Sequence, residues 1–180
     1  MKTSVKVVFV LVLLAIPLVM NCCTTSPERG TQSGGSPPVI THSFASKEIS
    51  HGDIWRIYVE ANDPDGDMRQ FVCVLTQVGY GYYPSEYVMT KKHHREKMKG
   101  YLTFNSGAGG GLRLSEWTQF SMTIHIRDRG RNTSNKVVFP LTLSQGSKQG
   151  APPPPFDVNG LERLGAIWIE LVGDGGRFRF

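Results

Sequence analysis

The sequence is poor in cysteine, and this limits what can hold the fold together. It has three cysteines in 180 residues, and two of them, Cys22 and Cys23, are adjacent near the start. Only Cys73 lies in the body of the chain, so no disulfide can form within a folded domain there unless the N-terminal pair folds back onto it. We therefore expect a domain stabilised by side-chain packing, with Cys73 as a core residue.

The sequence also lacks a strong excess of charge of either sign. Its formal net charge is +5, which falls to +3 without Lys2 and Lys6. Nucleic-acid-binding domains carry a dense basic stripe, so this mild excess argues against a nucleic acid as partner. It is compatible with loose association with anionic lipid or with an envelope polysaccharide.

Two further absences concern membrane spans and catalytic motifs. The apolar run Val7–Met20 has 14 residues, fewer than the roughly 20 that a helix needs to cross a bilayer. The glycine run 107–111 lacks the Gly-Lys-Ser/Thr ending of a phosphate loop, and no nucleophile elbow or metalloprotease helix is present. We therefore predict that the protein is not an enzyme and needs no cofactor, with calcium as the one open possibility.

The N-terminus has the layout of an export signal. Lys2 and Lys6 precede the apolar run, which ends at Asn21 before Cys22. This layout resembles a bacterial lipoprotein precursor, and the resemblance implies acylation of Cys22, a membrane partner through that lipid anchor, and a place in the cell envelope, periplasmic or surface-exposed. An ordinary cleaved signal or a short uncleaved anchor remains an alternative. We predict a signal peptide over 1–21 and a flexible tether over 22–38, which is rich in Ser, Gly and Pro.

After the tether, the composition favours an all-β domain. Glycine (20) and proline (11) are abundant, and apolar residues occur in short alternating runs without helical spacing. The predicted strands are 39–44, 54–61, 70–78, 101–104, 119–127, 136–143 and 164–172. In the second of these, Trp55, Ile57 and Val59 share one face, which we expect to be buried, and Tyr58 lies on the other, which we expect to be solvated.

Two segments indicate a family of folds. They are WRIYVEANDPDGDM, which begins at Trp55, and FSMTIHIRDRGRNTSNKVVFPLTL, which begins at Phe120. Both resemble bacterial immunoglobulin-like domains of the cadherin or PKD-like kind. The resemblance implies an immunoglobulin-like antiparallel β-sandwich over 39–145. Residues 146–180 are then a Pro-rich spacer plus an extra C-terminal strand, which returns to the sandwich edge or adds to a partner's sheet.

The turn after the second predicted strand carries candidate metal ligands. Its carboxylates stand at alternate positions: Asp63, Asp65 and Asp67. Calcium prefers such oxygen ligands, but Met68 and Val74 stand where an EF-hand needs glycine and glutamate, so an EF-hand is excluded. The cadherin-like resemblance implies calcium binding here and adds Asp128. The alternative is a turn whose carboxylates cap its own backbone.

The segment 79–111 carries the candidate binding residues. They are Tyr82, Tyr83, Tyr87, Lys91, Lys92, His93 and His94. The tyrosines suggest an aromatic platform for a sugar or a protein, and the cations suggest a contact for phosphate or sulphate groups. Adjacent histidines on a strand point to opposite faces, so the sequence gives no support for a zinc site.

Together these features predict a non-catalytic, envelope-anchored, immunoglobulin-like module that works by binding or as a structural accessory. One alternative is a carbohydrate-binding protein or envelope enzyme with its site in 79–111. Another is a module for calcium-dependent assembly.

Overall fold

The computed structural model describes residues 34–107, 118–157 and 159–172. The chain divides into two units, Met1–Gln32 and Ser33–Phe180, and every described residue belongs to the second. The predicted signal peptide, the lipidation residue Cys22 and most of the tether therefore lie outside the described residues. Within the described ranges, no helix combines the length and the apolar character that crossing a membrane requires.

Strands make up most of the described part of the chain. They are β1 (Val39–Ala45), β2 (Glu48–Ile49), β3 (Ile54–Asn62), β4 (Met68–Gln77), β5 (Gly81–Tyr82), β6 (Glu86–Met89), β7 (Lys97–Asn105), β8 (Gln119–Asp128), β9 (Val137–Leu143) and β10 (Glu162–Ile167). A short 3-10 helix, Lys92–His94, lies between β6 and β7.

The strands form two sheets that pack face to face, which confirms the predicted all-β sandwich. The first sheet has the order β1-β3-β7-β10. The second has the order β2-β9-β8-β4-β5, and β6 also pairs with β4. Side chains that alternate along each strand form a core between the layers, as expected for strands with one buried face.

Aromatic contacts join the two layers at the centre of the core. Trp55 of β3 is fully buried, and its ring meets the edges of Phe104 in the same sheet and Phe139 in the opposite sheet, both at 6.5 Å between centroids. Its indole Nε1–H donates to the backbone oxygen of Ser46 at 2.8 Å, so burial leaves no unpaired donor.

The sheets are mixed, whereas the sequence predicted a wholly antiparallel sandwich. β2 runs parallel to β9, and β10 runs parallel to β7. The connection before β10 does not make a hairpin turn. It crosses the outer face of the first sheet, where Phe156 packs on Tyr58 at 5.7 Å between ring centroids. Tyr58 is consequently buried, so the outer face of β3 is drier than predicted.

The long strands fall where alternation predicted them, and the short elements do not. β2, β5 and β6 have two to four residues each, too few to produce a periodic pattern. β7 begins at Lys97, four positions before the predicted strand, because Met98 and Leu102 alternate across a charged stretch. The extra C-terminal strand is present as β10, and it begins at Glu162, before the predicted 164–172.

Candidate functional site

The acidic turn joins β3 in the first sheet to β4 in the second. Gly66 adopts a positive φ of 67°, and its N–H donates to the carbonyl of Asp63 at 3.2 Å. The Asp63 side chain accepts the backbone N–H of Asp65 through Oδ1 at 3.1 Å. The turn therefore does cap its own backbone through Asp63, as the alternative prediction stated.

A fourth carboxylate reaches this turn from a distant part of the sequence. Asp128 ends β8 and is paired in register with Met68, the first residue of β4. Its Oδ1 and Oδ2 accept the backbone N–H and the side-chain amide of Asn132 at 2.7 and 2.8 Å. The N–H of Arg129 donates to the carbonyl of Asp67 at 3.2 Å, so the two loops are fastened together.

Three of the four predicted metal ligands converge. A carboxylate oxygen from each of Asp63, Asp67 and Asp128, which we call the acidic trio, lies within 4.8 Å of the other two. Asp63 and Asp128 are only 1% and 2% exposed. Asp65 is not a member of the trio, because its carboxylate accepts the backbone N–H of Ser36 instead.

The acidic trio brings like charges together in a buried position. Among the described residues, Asp63 Oδ2 and Asp67 Oδ1 are buried and have no hydrogen-bond donor. Burial, and then the neighbouring Asp67 carboxylate, raise the pKa of Asp63 above its ordinary value. The site therefore favours a species that neutralises negative charge, either a proton or a cation.

The predicted cationic binding group forms a second cluster. His93 and His94, which we call the histidine pair, both direct Nε2 toward Glu162 Oε2, at 3.3 and 3.0 Å. Lys91 Nζ forms an ion pair with the other carboxylate oxygen, Oε1. Hydrogen bonds from Lys91 and then His93 lower the pKa of Glu162 to about 2. Lys92 is exposed.

The histidine pair converges because the local backbone is not a strand. A 3-10 helix has three residues per turn, so neighbouring side chains diverge by about 120° instead of pointing to opposite faces. The two imidazole centroids are 4.1 Å apart. Glu162 was not among the predicted site residues. Its contacts with His93 and His94 span 69 and 68 positions, and no local pattern in the sequence indicates them.

The predicted tyrosine group is divided between two roles. Tyr83 is buried, its hydroxyl donates to Gln77 Oε1, and it accepts the N–H of Val172 at 3.0 Å, so it is a structural residue. Tyr82 and Tyr87 are 78% and 53% exposed. They pair with residues four positions apart on β4, which separates them by about 13 Å, too far to stack on one sugar ring.

Cys73 is the only cysteine among the described residues. It lies in β4 with no exposed surface, and desolvation raises the pKa of its thiol to about 12. A thiol that stays protonated at neutral pH is a poor nucleophile, so Cys73 is a packing residue.

The chain matches no protein-family model, and no curated protein matches it.

Proposed function

We propose that this chain is a non-catalytic, lipid-anchored module of the bacterial cell envelope, an immunoglobulin-like sandwich that binds calcium at the acidic trio. The observation that carries the calcium assignment is the Asp63 carboxylate. It is almost completely buried, it faces two further carboxylates, and one of its oxygens has no donor among the described residues. The envelope location and the anchor at Cys22 derive from the N-terminal sequence pattern.

The strand order supports the immunoglobulin-like part of the proposal. Constant-type immunoglobulin domains place their first, second and fifth strands in one sheet and their third, sixth and seventh in the other. If the short strands are set aside, β1, β3 and β7 correspond to the former set, and β4, β8 and β9 to the latter. β10 lies next to β7, at the edge that the fourth strand occupies in those domains.

Charge repulsion supports a bound cation. Two unit charges at 4.8 Å, the upper limit of these oxygen separations, repel by about 3.5 kcal/mol at an effective dielectric constant of 20. The acidic trio contains three such pairs, and two of its members are buried. One proton would leave two of the three negative charges, whereas a divalent cation would leave only one.

The donor set favours calcium over a transition metal. All the side-chain donors are carboxylate oxygens, which are hard ligands. Calcium takes six to eight oxygens, so water or a neighbouring molecule must supply those that the trio does not. If a neighbouring molecule supplies the missing oxygens, the bound calcium would join this end of the sandwich to that partner.

Thermal unfolding of the full chain with calcium and with chelator tests the proposal. A cation that binds only the native state stabilises it by about 2.7 kcal/mol at 100 times its Kd, or about 5–10 °C in Tm. We expect this shift in the wild type and in Asp65→Asn, whose carboxylate belongs to the same turn but not to the trio. Asp63→Asn should lose it while melting no lower than the wild type in chelator, because the substitution removes a repulsive charge.

Identical melting curves with calcium and chelator would exclude the calcium site, as would a full shift in Asp63→Asn. Sedimentation with and without calcium then separates simple binding from assembly. The anchor needs its own test, which is metabolic labelling with a fatty-acid analogue. Equal labelling of the wild type and Cys22→Ser would refute acylation of Cys22.

A second candidate function is carbohydrate binding in the segment 79–111. It is favoured by the exposure of Tyr82 and Tyr87 on the same sheet, with a spacing that suits separate units of a polymer. Titration of the full chain with envelope glycans, followed by aromatic fluorescence, tests it. A response that survives Tyr82→Ala and Tyr87→Ala together would place the sugar elsewhere.

A further inference from the structure

The histidine pair and Glu162 have the donor atoms of a transition-metal site. Two imidazole nitrogens and one carboxylate oxygen lie within 4.8 Å of one another. Imidazole suits zinc, copper and nickel, whereas calcium prefers oxygen ligands alone. This cluster is therefore chemically different from the acidic trio, and its ligand would be a different class of ion.

Two of the three separations between ligand atoms fit tetrahedral coordination. Zinc binds nitrogen and oxygen at about 2.0–2.1 Å, so two ligand atoms on a tetrahedral ion are separated by about 3.3–3.4 Å. The separations of His93 Nε2 and His94 Nε2 from Glu162 Oε2 are 3.3 and 3.0 Å. Both imidazole–carboxylate separations are therefore within a few tenths of an ångström of the tetrahedral value, and the two imidazole ligand atoms lie within 4.8 Å of each other.

The surrounding groups are also arranged for a bound ion. Lys91 engages Glu162 through Oε1, while the histidine pair approaches Oε2. The lysine thus orients the carboxylate without occupying the oxygen that an ion would use. The His94 side chain is 11% exposed and that of His93 is 63% exposed, so one wall of the site is fixed by packing and the other is open to entry from solvent.

We propose that His93, His94 and Glu162 bind one Zn²⁺ or a similar transition-metal ion, with a fourth position open to water or to an external ligand. The histidine pair belongs to the connection between β6 and β7, and Glu162 is the first residue of β10. A metal held by all three cross-links the C-terminal strand to the sandwich. Because the ligands are distant in sequence, the site exists only in the folded chain, and binding stabilises that state.

Without metal, the same contacts are two imidazole N–H groups donating to one carboxylate oxygen. The test must therefore measure metal binding and not only stability. We would use the full chain with Cys22→Ser and Cys23→Ser, which removes the thiolates that would also bind zinc. Co²⁺ reports tetrahedral coordination through its visible absorption, and competition with Zn²⁺ then gives the zinc affinity.

The chain offers a matched control at His42. This exposed histidine lies 3.5 Å from Glu60, which also contacts Lys99 at 3.4 Å. The group therefore has a carboxylate and a lysine, like the proposed metal site, but one imidazole instead of two. We expect one Co²⁺ per chain in the parent and in His42→Gln. Mutation of a group that only orients a metal-coordinating side chain lowers metal affinity by about 10–100-fold. Loss of a coordinating side chain itself, in His93→Gln or Glu162→Gln, should therefore weaken Co²⁺ binding at least tenfold.

His93→Gln is the decisive variant, because that side chain is exposed and its loss leaves the fold intact. Equal Co²⁺ affinity in His93→Gln and His42→Gln would overturn the proposal. So would the absence of saturable binding in the parent protein. Either result is independent of the calcium experiment, which concerns other residues and another class of ion.

Discussion

The position of β10 makes a sharp prediction at Gly100 of β7. In the parallel register Gly100 stands opposite Glu162, and a Cβ placed on it would lie 2.2 Å from the Glu162 carbonyl oxygen and 2.9 Å from Leu164 Cγ. The glycine is therefore required by close approach of the neighbouring strand. Gly100→Ala should force β10 away from β7.

The size of the effect follows from the contact. Ordinary van der Waals contact begins near 3.4 Å, so the strands must separate by about 1.2 Å, and a backbone oxygen cannot rotate out of the way. Overpacking of this kind costs about 1–3 kcal/mol. Complete detachment of β10 would expose Leu164 and Ile167, at about 1.5–3 kcal/mol each, so a shift is the cheaper response. We expect a loss of about 2–3 kcal/mol.

Urea and thermal unfolding measure this loss, which corresponds to a Tm lower by about 4–12 °C. The control is Gly150→Ala, where the added Cβ would meet its nearest heavy atom at an ordinary 3.8 Å. That variant should be as stable as the wild type or slightly more so, because alanine restricts the unfolded chain. If Gly100→Ala is as stable as Gly150→Ala, β10 does not pack against β7 in this register.

Three other predictions test the packing and the buried titratable groups. Gly165→Ala would place a Cβ 2.2 Å from Val88 Cγ1, and Val88→Ala removes that methyl group. In a double-mutant cycle, the double variant should therefore be more stable, by about 1 kcal/mol, than the sum of the two single losses in unfolding free energy predicts. Cys73, with its pKa raised to about 12, should react with a thiol reagent only on unfolding, in a background without the N-terminal cysteines; immediate reaction would contradict its burial. Burial, then Lys136 and Arg127, lower the pKa of His125 below 6.5, so the unfolded state takes up a proton first and stability falls as the pH drops below about 6.5. His125→Gln should reduce that pH dependence, and an unchanged slope would show that His125 is not its source.

The long strands could be predicted from the sequence because their burial is periodic. Phe120, Met122, Ile124 and Ile126 alternate along β8, and all four are buried against the opposite sheet. In each such strand, the alternation of apolar residues indicates which face is buried. The turn from Asp63 to Asp67 was also predictable, because proline, glycine and aspartate determine turn geometry locally.

What the sequence could not provide is information about contacts between distant elements. β10 was predicted as a strand, but its parallel pairing depends on the path of the Pro-rich connection and on close approach at Gly100 and Gly165. The division of the tyrosines into buried and exposed members depends on which of them the C-terminal segment covers. Glu162 became a site residue only through that same pairing.

The segment that the sequence left irregular connects the two proposed ion sites. The carbonyl groups of Arg95 and Glu96, directly after the histidine pair, accept the N–H groups of Met68 and Asp63 at 3.1 and 2.8 Å. The backbone just after the histidine pair therefore binds the acidic turn, while the histidine side chains contact Glu162. Displacement of β10 should therefore disturb the histidine pair directly, whereas the acidic turn keeps its own backbone hydrogen bonds to Arg95 and Glu96. Gly100 and Gly165, which have no side chains, accordingly determine whether β10 can bring Glu162 to the histidine pair.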